Sequence, residues 1–121
     1  MILVDSSIWI DHLRKSDRAF SNLLNQDLVL VHPFIIGELA MGGIGNRQDF
    51  LSFIQEFPQA LVAHDDEVLA FVTRHKLFGT GIGYIDAHLL ASTQLTPGAA
   101  IWTRDRGLNE IATKLLLGIS Q

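Results

Sequence analysis

Two short apolar runs, each followed by an acidic residue, are the feature that most constrains the fold of this chain. The strand predicted at residues 2–5 ends in Asp5, and the strand predicted at residues 99–103 leads through Arg104 to Asp105. Apolar runs without polar alternation are typical of strands buried on both faces, as in parallel sheets. Ligands bind beyond the carboxyl ends of such strands, which is where both acids are expected.

Further short apolar runs alternate with helical patterns along the whole chain. Residues 28–31 and 60–63 are predicted strands, and residues 115–119 are predicted to form a short final strand. Strands that alternate with helices across short loops indicate an α/β sandwich with a parallel sheet. Helices are predicted at about 6–14, 17–25, 33–41, 47–57, 65–75, 84–95 and 106–113. The first should be capped by Ser6 or Ser7, the second by Asp17 and the fifth by Asp65 or Asp66.

Length and composition set broad limits on the class of protein. At 121 residues the chain is expected to be one domain, and it contains no cysteine, which suits a reducing compartment. The N-terminus turns polar too early for a signal peptide, and no apolar run approaches the roughly 20 residues of a membrane helix. We therefore expect a cytoplasmic protein. The net charge of -4 neither supports nor excludes a nucleic acid substrate.

Two further acids occupy helical positions whose neighbours are mostly apolar. Glu38 has Phe34, Ile35 and Met41 three or four residues away, and Asp86 has Ile82 and Leu89–Leu90 at the same spacings. Asp is also a poor helix former, so its place needs a reason. The structural alternatives are a glutamate that extends to water and an aspartate that interacts with a helix dipole.

Taken together, Asp5, Glu38, Asp86 and Asp105 form a candidate site. Asp5 and Asp105 each also suit the role of a helix N-cap, so each position alone is a weak signal. Carboxylates gathered in a partly dry site repel one another unless a cation binds, and at least one should then titrate above its usual pKa. Hard oxygen ligands favour Mg²⁺ or Mn²⁺, which commonly serve phosphoryl chemistry.

Other motifs do not indicate a second chemistry. The five histidines form no HxH or HxxxH pair. The glycine-broken segment 79–83 lacks the Lys-Ser/Thr of a phosphate-binding P-loop. The apolar stripe at residues 50–57 fits either the core or a partner surface.

Four segments together resemble a PIN domain, and most closely the VapC-type toxins of bacterial toxin–antitoxin pairs. They are ILVDSSIWIDHLR, the helical Glu38 after Pro33, GIGYIDAHLLAS and IWTRDRGL. The resemblance covers essentially all of residues 1–121. It implies a single three-layer domain, with a mostly parallel sheet of about four or five strands flanked by helices. It also implies an endoribonuclease that depends on Mg²⁺ or Mn²⁺.

The resemblance assigns roles to particular residues. Asp5, Glu38, Asp86 and Asp105 match the acidic quartet of the family, with Asp5 and Asp86 as direct metal ligands. Ser6 and Thr103 match the polar positions beside the quartet. The implied partners are an RNA substrate, a second copy of the chain in a homodimer, and a small antitoxin whose C-terminal segment crosses the active-site groove. The family often carries a charged or polar residue near positions 41–43, where this chain has Met-Gly-Gly.

The arginines near these acids are candidates for contacts to RNA phosphates. Arg104 lies between Thr103 and Asp105, and Arg14 and Arg106 are the other two. Loose arginines are also common on solvated surfaces, which is the structural alternative for all three.

Two other functions were weighed. A phospho-acceptor signalling domain also gathers acids at strand ends, but it needs an adjacent acidic pair after the first strand and a lysine after a late strand. Here Asp5 is followed by serines, and Lys114 falls in a predicted helix. A catalytically idle PIN-like binding module has no need of four acids that repel one another.

Overall fold

The centre of the molecule is a small parallel sheet whose middle strand comes first in the chain. The computed structural model describes residues 1–119. Strand β1 (Ile2–Val4) lies between β2 (Val29–Leu30) and β3 (Ala100–Trp102), and both neighbours run parallel to it. The central strand is buried because both of its faces are apolar, which confirms the α/β class expected from the sequence.

Each edge of the sheet gains one further chain segment through a single bridge. Val31 pairs with Gln59, and Ile101 pairs with Gly118, both in parallel. Five parallel segments therefore lie side by side, but the strands predicted at 60–63 and 115–119 are wrong in extent. Beyond Gln59 the backbone no longer pairs with the sheet in this way, because Leu61 N donates its hydrogen bond to the side chain of Thr96.

At the other edge, the backbone N–H groups of residues 117 and 118 donate hydrogen bonds to the end of helix 106–114 and not to the sheet. Both Leu117 N and Gly118 N donate to the carbonyl of Ala112, so these groups are lost to the sheet ladder. Leu116 adopts a left-handed conformation with a φ of 60°, which turns the chain there. Helix termination thus limits this edge to a single bridge.

Seven helices flank the sheet in the described part of the chain. Their positions agree with the predictions, with ends that differ by up to three residues. Two caps differ: Asp5 rather than Ser6 or Ser7 precedes the first helix, and His64 precedes the fifth. None of these seven helices is long and apolar enough to span a membrane. They are α1 (Ser6–Arg14), α2 (Arg18–Asn25), α3 (Pro33–Ala40), α4 (Arg47–Ile54), α5 (Asp65–Arg74), α6 (Tyr84–Leu95) and α7 (Arg106–Lys114).

An aromatic cluster around Trp9 fixes helix α1 against the core. The Trp9 ring packs edge to face with Phe20 at 4.7 Å, Phe57 at 5.7 Å and Phe50 at 5.9 Å between ring centroids. The apolar stripe at 50–57 therefore contributes mainly to the core, and Phe53 is its exposed member. Such aromatic contacts stabilise a core beyond the area they bury. They hold α1 in place, and with it the turn that begins at Asp5.

A fully buried histidine joins the two helices that carry Glu38 and Asp86. His32 is the N-cap of α3, and its Nδ1 accepts a hydrogen bond from Phe34 N at 3.0 Å. Its Nε2 therefore carries the proton and donates to Ser92 Oγ of α6 at 3.1 Å. Burial, followed by the charge of His88, lowers the pKa of His32 to about 4. The neutral imidazole thus links α3 to α6 by hydrogen bonds.

The buried, neutral state of His32 predicts a loss of stability in mild acid. The unfolded histidine binds a proton near pH 6.5, whereas the folded one does so only near its pKa of about 4. Between these values the unfolded state takes up more protons, so stability should fall as the pH falls, by up to about 1.4 kcal/mol per pH unit. Urea unfolding of the parent and of His32→Asn, which keeps an N-cap acceptor, measures this slope. Equal slopes in the two proteins would exclude a neutral buried His32.

Candidate functional site

Asp5 is the most constrained of the candidate acids. It follows β1, and its side chain is only 7% exposed. Oδ1 accepts a hydrogen bond from Ser6 N at 2.8 Å, which caps α1. Oδ2 accepts hydrogen bonds from Thr103 Oγ1 at 2.6 Å and Ser7 Oγ at 3.3 Å. The Asp5 carboxylate therefore both caps helix α1 and belongs to the candidate site.

Asp105 reaches the same edge of the sheet from the neighbouring strand. Val4 pairs with Trp102, so Asp5 and Thr103 are the next residues of two parallel strands. Asp105 N donates to Thr103 Oγ1 at 3.0 Å, and Asp105 Oδ1 caps α7 by accepting from Leu108 N at 2.9 Å. Unlike Asp5, this residue is exposed to solvent.

Glu38 approaches the site from helix α3. It is exposed rather than buried, so the apolar positions around it in sequence form only one side of its surroundings. Ser6 Oγ donates to Glu38 Oε2 at 2.9 Å, and the same hydroxyl lies 3.5 Å from Asp5 Oδ1. Ser6 thus joins the carboxylate of α3 to the carboxylate at the end of β1.

Asp86 lies in the first turn of α6 and is half-buried. The pKa of its carboxyl group is raised, and burial is the largest cause. The next causes are the negative charges of Asp105, Asp5 and Glu38, in that order, while a backbone hydrogen bond from Gly83 opposes them. The structure therefore brings all four candidate acids into one electrostatic neighbourhood, and the expected upward shift of at least one pKa is confirmed in direction.

The four carboxylates have no counter-charge from the described part of the chain. The ion pairs among residues 1–119 involve other acids, and none includes a member of this quartet. In the same residues, no three His, Cys, Asp or Glu side chains are already grouped so as to hold one ion. Carboxylates of like charge repel one another, and a bound cation would offset that repulsion. The all-oxygen donor set suits Mg²⁺ or Mn²⁺.

The predicted supporting residues divide into two kinds. The hydroxyls of Ser6 and Thr103 both lie in the site, where they donate hydrogen bonds to its acids. The guanidinium of Arg104 lies beside the site but is held by the carboxylates of Asp11 and Asp17. It is therefore not the free cation that its position in the sequence suggested.

The other two arginine candidates are exposed. Arg14 is the last residue of α1, and Arg106 is the first residue of α7. Arg106 Nε lies 3.5 Å from Oε1 of Glu110, one helical turn further along α7. Such exposed pairs contribute little to stability, so Arg106 remains accessible to a phosphate.

Sequence reasoning missed the two partners of Arg104. Asp17 was predicted only as a helix cap, a role it does fill through Phe20 N at 2.9 Å, and Asp11 was not singled out. The two acids lie 93 and 87 residues before Arg104 in the chain. No local spacing links residues that far apart, so only the folded arrangement identifies the group.

Comparisons with known proteins found matches that cover most of the chain. A family model described as "PIN domain" matches residues 2–114. The chain is 46% identical over 108 residues to "Ribonuclease VapC32" of Mycobacterium tuberculosis (strain CDC 1551 / Oshkosh), which covers 89% of this chain and 87% of that protein. The same figures hold for "Ribonuclease VapC32" of strain ATCC 25618 / H37Rv.

The raised pKa of Asp86 predicts that its charge destabilises the metal-free protein. Since the folded pKa exceeds the unfolded one, stability is greatest below the unfolded pKa and is lost as the pH rises through the folded pKa. In EDTA, Asp86→Asn should therefore have a higher Tm than the parent at about pH 7, and the difference should shrink toward about pH 3.5. Thermal unfolding measures both values. Glu56→Gln, in an exposed turn, is the control, and a gain at neutral pH as large as that of Asp86→Asn would rule out a specific repulsion at the site.

Proposed function

Because this chain belongs to the PIN-domain family, we propose that it is a VapC-type ribonuclease, a single-domain endoribonuclease that cleaves RNA with the help of a divalent metal ion. In this proposal it is the toxin of a toxin–antitoxin pair and acts in the cytoplasm. The observation that supports the proposal is that Asp5, Glu38 and Asp105 all act through their negative charge on half-buried Asp86, while none of the four has a basic partner among residues 1–119. Binding a cation is the simplest way to relieve that repulsion.

Asp5, Asp86, Asp105 and Glu38 are the residues that would hold the ion. A bound Mg²⁺ or Mn²⁺ supplies a Lewis acid that activates water and neutralises charge developing on the phosphate. Asp5 has its orientation set by Thr103 and by the α1 amide, so little further ordering is needed there. Asp86 is half-buried with a raised pKa, so it gains most when a cation offsets its neighbours.

Glu38 would orient the attacking water or complete the ligand shell of the ion. Its Oε2 is held by Ser6 Oγ, which leaves Oε1 to accept a hydrogen bond, and then a proton, from water. The water oxygen would form a bond to phosphorus, the bond from phosphorus to one ester oxygen would break, and that oxygen would take up a proton from solvent. Arg14 and Arg106 are exposed and would contact phosphates of the RNA backbone.

An apolar groove beside α1 fits the antitoxin expected for this class. It encloses about 480 Å³ between the end of α1 and the turn from α3 to α4. The Met-Gly-Gly departure lies here, with Met41 88% exposed, so contacts at this turn would be apolar or made to backbone. We propose that an apolar segment of the antitoxin occupies it. The groove is lined by Ile10, Leu13, Arg14, Gly42, Gly43, Ile44, Gly45 and Asn46.

A second exposed apolar surface supports the proposal of a homodimer. Large apolar side chains are exposed on α5, α6 and the segments that precede them, which is unusual for a surface that stays in water. A second copy of the chain would cover it, and sedimentation of the parent and of Leu69→Glu would test this. The exposed side chains are Leu61, Val62, Leu69, Phe78, Tyr84, Ile85 and Leu95.

The phospho-acceptor alternative has no support in the structure. Lys114 is the last residue of helix α7 and does not follow a strand, as that function requires.

Removing either of the two best-placed acids should abolish RNA cleavage. Asp5→Asn keeps an oxygen for the α1 cap, and Asp86→Asn keeps the size of the side chain, so both variants should fold. Cleavage in Mg²⁺ should fall by about 100-fold or more, the usual order for losing a group that stabilises a transition state. RNA end-mapping and single-turnover rates measure the effect. Asp27→Asn should retain the parent rate, and full activity in folded Asp86→Asn would refute the assignment of the site.

Metal binding has a separate readout in thermal stability. Mn²⁺ should raise the Tm of the parent, with about 1.4 kcal/mol added for each tenfold increase in free ion above the dissociation constant. Asp86→Asn should lose most of this gain, while Asp27→Asn keeps it. Equal stabilisation of all three proteins would place the ion elsewhere on the chain.

A further inference from the structure

We propose that Arg104 is a positioning residue, which holds the site acids Asp5 and Asp105 in place through Asp11 and Asp17 and does not itself contact RNA. The inference rests on the proposed ribonuclease function, because it concerns the geometry of that site. We refer to Arg104, Asp11 and Asp17 as the arginine clamp.

The clamp joins the loop after β3 to the first two helices. Arg104 Nη1 donates to Asp11 Oδ2 at 2.6 Å, and Nη2 donates to Asp17 Oδ2. The guanidinium carbon lies 5.8 Å from the centre of the Trp102 ring, close enough for a cation–π contact. Arg104 N also donates to Ser7 Oγ at 3.3 Å. Side chain and backbone of this one residue thus connect β3 to both α1 and the start of α2.

Residues on both sides of Arg104 belong to the site. Thr103 Oγ1 donates to Asp5 Oδ2 at 2.6 Å and accepts from Asp105 N at 3.0 Å. Ser7 Oγ, which accepts from Arg104 N, itself lies 3.3 Å from Asp5 Oδ2. A shift of the backbone at Arg104 would therefore move Asp105 directly and would lengthen the bond that orients Asp5.

The charges of the clamp argue against a role in RNA binding. One guanidinium between two carboxylates leaves a net charge of -1, which repels a phosphodiester. The two carboxylates are also part of the local structure, because Asp17 Oδ1 caps α2 while its Oδ2 holds Arg104. A phosphate would have to compete with both carboxylates for the charge of the guanidinium.

The planar fork of arginine explains why this residue type occupies the position. Its two terminal nitrogens donate in fixed, diverging directions and reach carboxylates on two different elements. A lysine ammonium is a point charge and would serve one carboxylate well. Arg104→Lys should therefore restore part of what Arg104→Gln loses.

Steady-state kinetics separate positioning from RNA contact. A displacement of about 1 Å in a catalytic group can cost roughly 100-fold in rate, so Arg104→Gln should lower kcat by about 10- to 100-fold with little change in KM. The variant Asp11→Asn/Asp17→Asn keeps the α2 cap and frees the guanidinium, and it should lower kcat in the same way. Combining it with Arg104→Gln should add little, because the three residues act as one unit. Arg18→Gln and Asp49→Asn, both exposed, are the controls.

An RNA-contacting Arg104 gives the opposite pattern. Arg104→Gln would then raise KM and weaken its salt dependence, whereas freeing the guanidinium in Asp11→Asn/Asp17→Asn would lower KM. That result, or an unchanged kcat in both variants, would overturn the proposal.

A second measurement does not depend on RNA or on metal. In the metal-free protein, the amides of Asp105 and Leu108 should exchange hydrogen faster in Arg104→Gln and in Asp11→Asn/Asp17→Asn, with partial recovery in Arg104→Lys. Exposed ion pairs contribute modestly to stability, so Tm should change by no more than a few degrees. Faster exchange in a protein that cleaves no RNA would support the clamp and refute the ribonuclease. Unchanged exchange in an active ribonuclease would refute the clamp alone.

Discussion

The orientation of the Asp5 carboxylate is the constraint on which the rest of this site depends. It stands at the end of the central strand, buried, and each of its oxygens has a defined partner. One oxygen begins helix α1 and the other is tied to the neighbouring strand through Thr103. An unpartnered carboxylate at this depth would be costly, so these hydrogen bonds are what allow a charged group to remain there. The fold and the proposed chemistry consequently share the same residue.

Around that fixed point the site is organised by hydroxyl groups and not by opposite charges. Ser6 links Asp5 to Glu38, and Thr103 links Asp5 to the backbone of Asp105. Hydroxyls orient carboxylates without neutralising them, so the negative field of the quartet is retained and raises the pKa of Asp86. An arginine or lysine in the same places would stabilise the metal-free fold but would compete with a divalent ion. If the quartet binds a cation as proposed, the arrangement favours that binding at the expense of some stability in the metal-free protein.

Arg104, which lies between Thr103 and Asp105, is kept from the quartet by other acids. Asp11 and Asp17 form ion pairs with Arg104. The positive charge of Arg104 therefore anchors the loop between β3 and α7 and does not neutralise the quartet. In the proposed function, RNA phosphates would instead contact exposed side chains such as Arg14 and Arg106. The buried part of the molecule therefore sets the geometry of the acids, while the surface carries the contacts proposed for RNA, antitoxin and a second copy of the chain.

The sequence by itself determined the α/β class, the positions of the helices and the acids at the ends of β1 and β3, because these follow from local apolar runs, capping residues and periodicity. It also indicated Glu38 and Asp86 as polar residues in apolar surroundings. Tertiary structure decided how far the sheet extends, since the N–H groups of residues 61 and 117–118 are claimed by side chains or by a helix end. It also decided that Arg104 pairs with Asp11 and Asp17 and that His32 joins α3 to α6. These contacts connect residues that are 60 to 93 positions apart in the chain, and no local pattern encodes them.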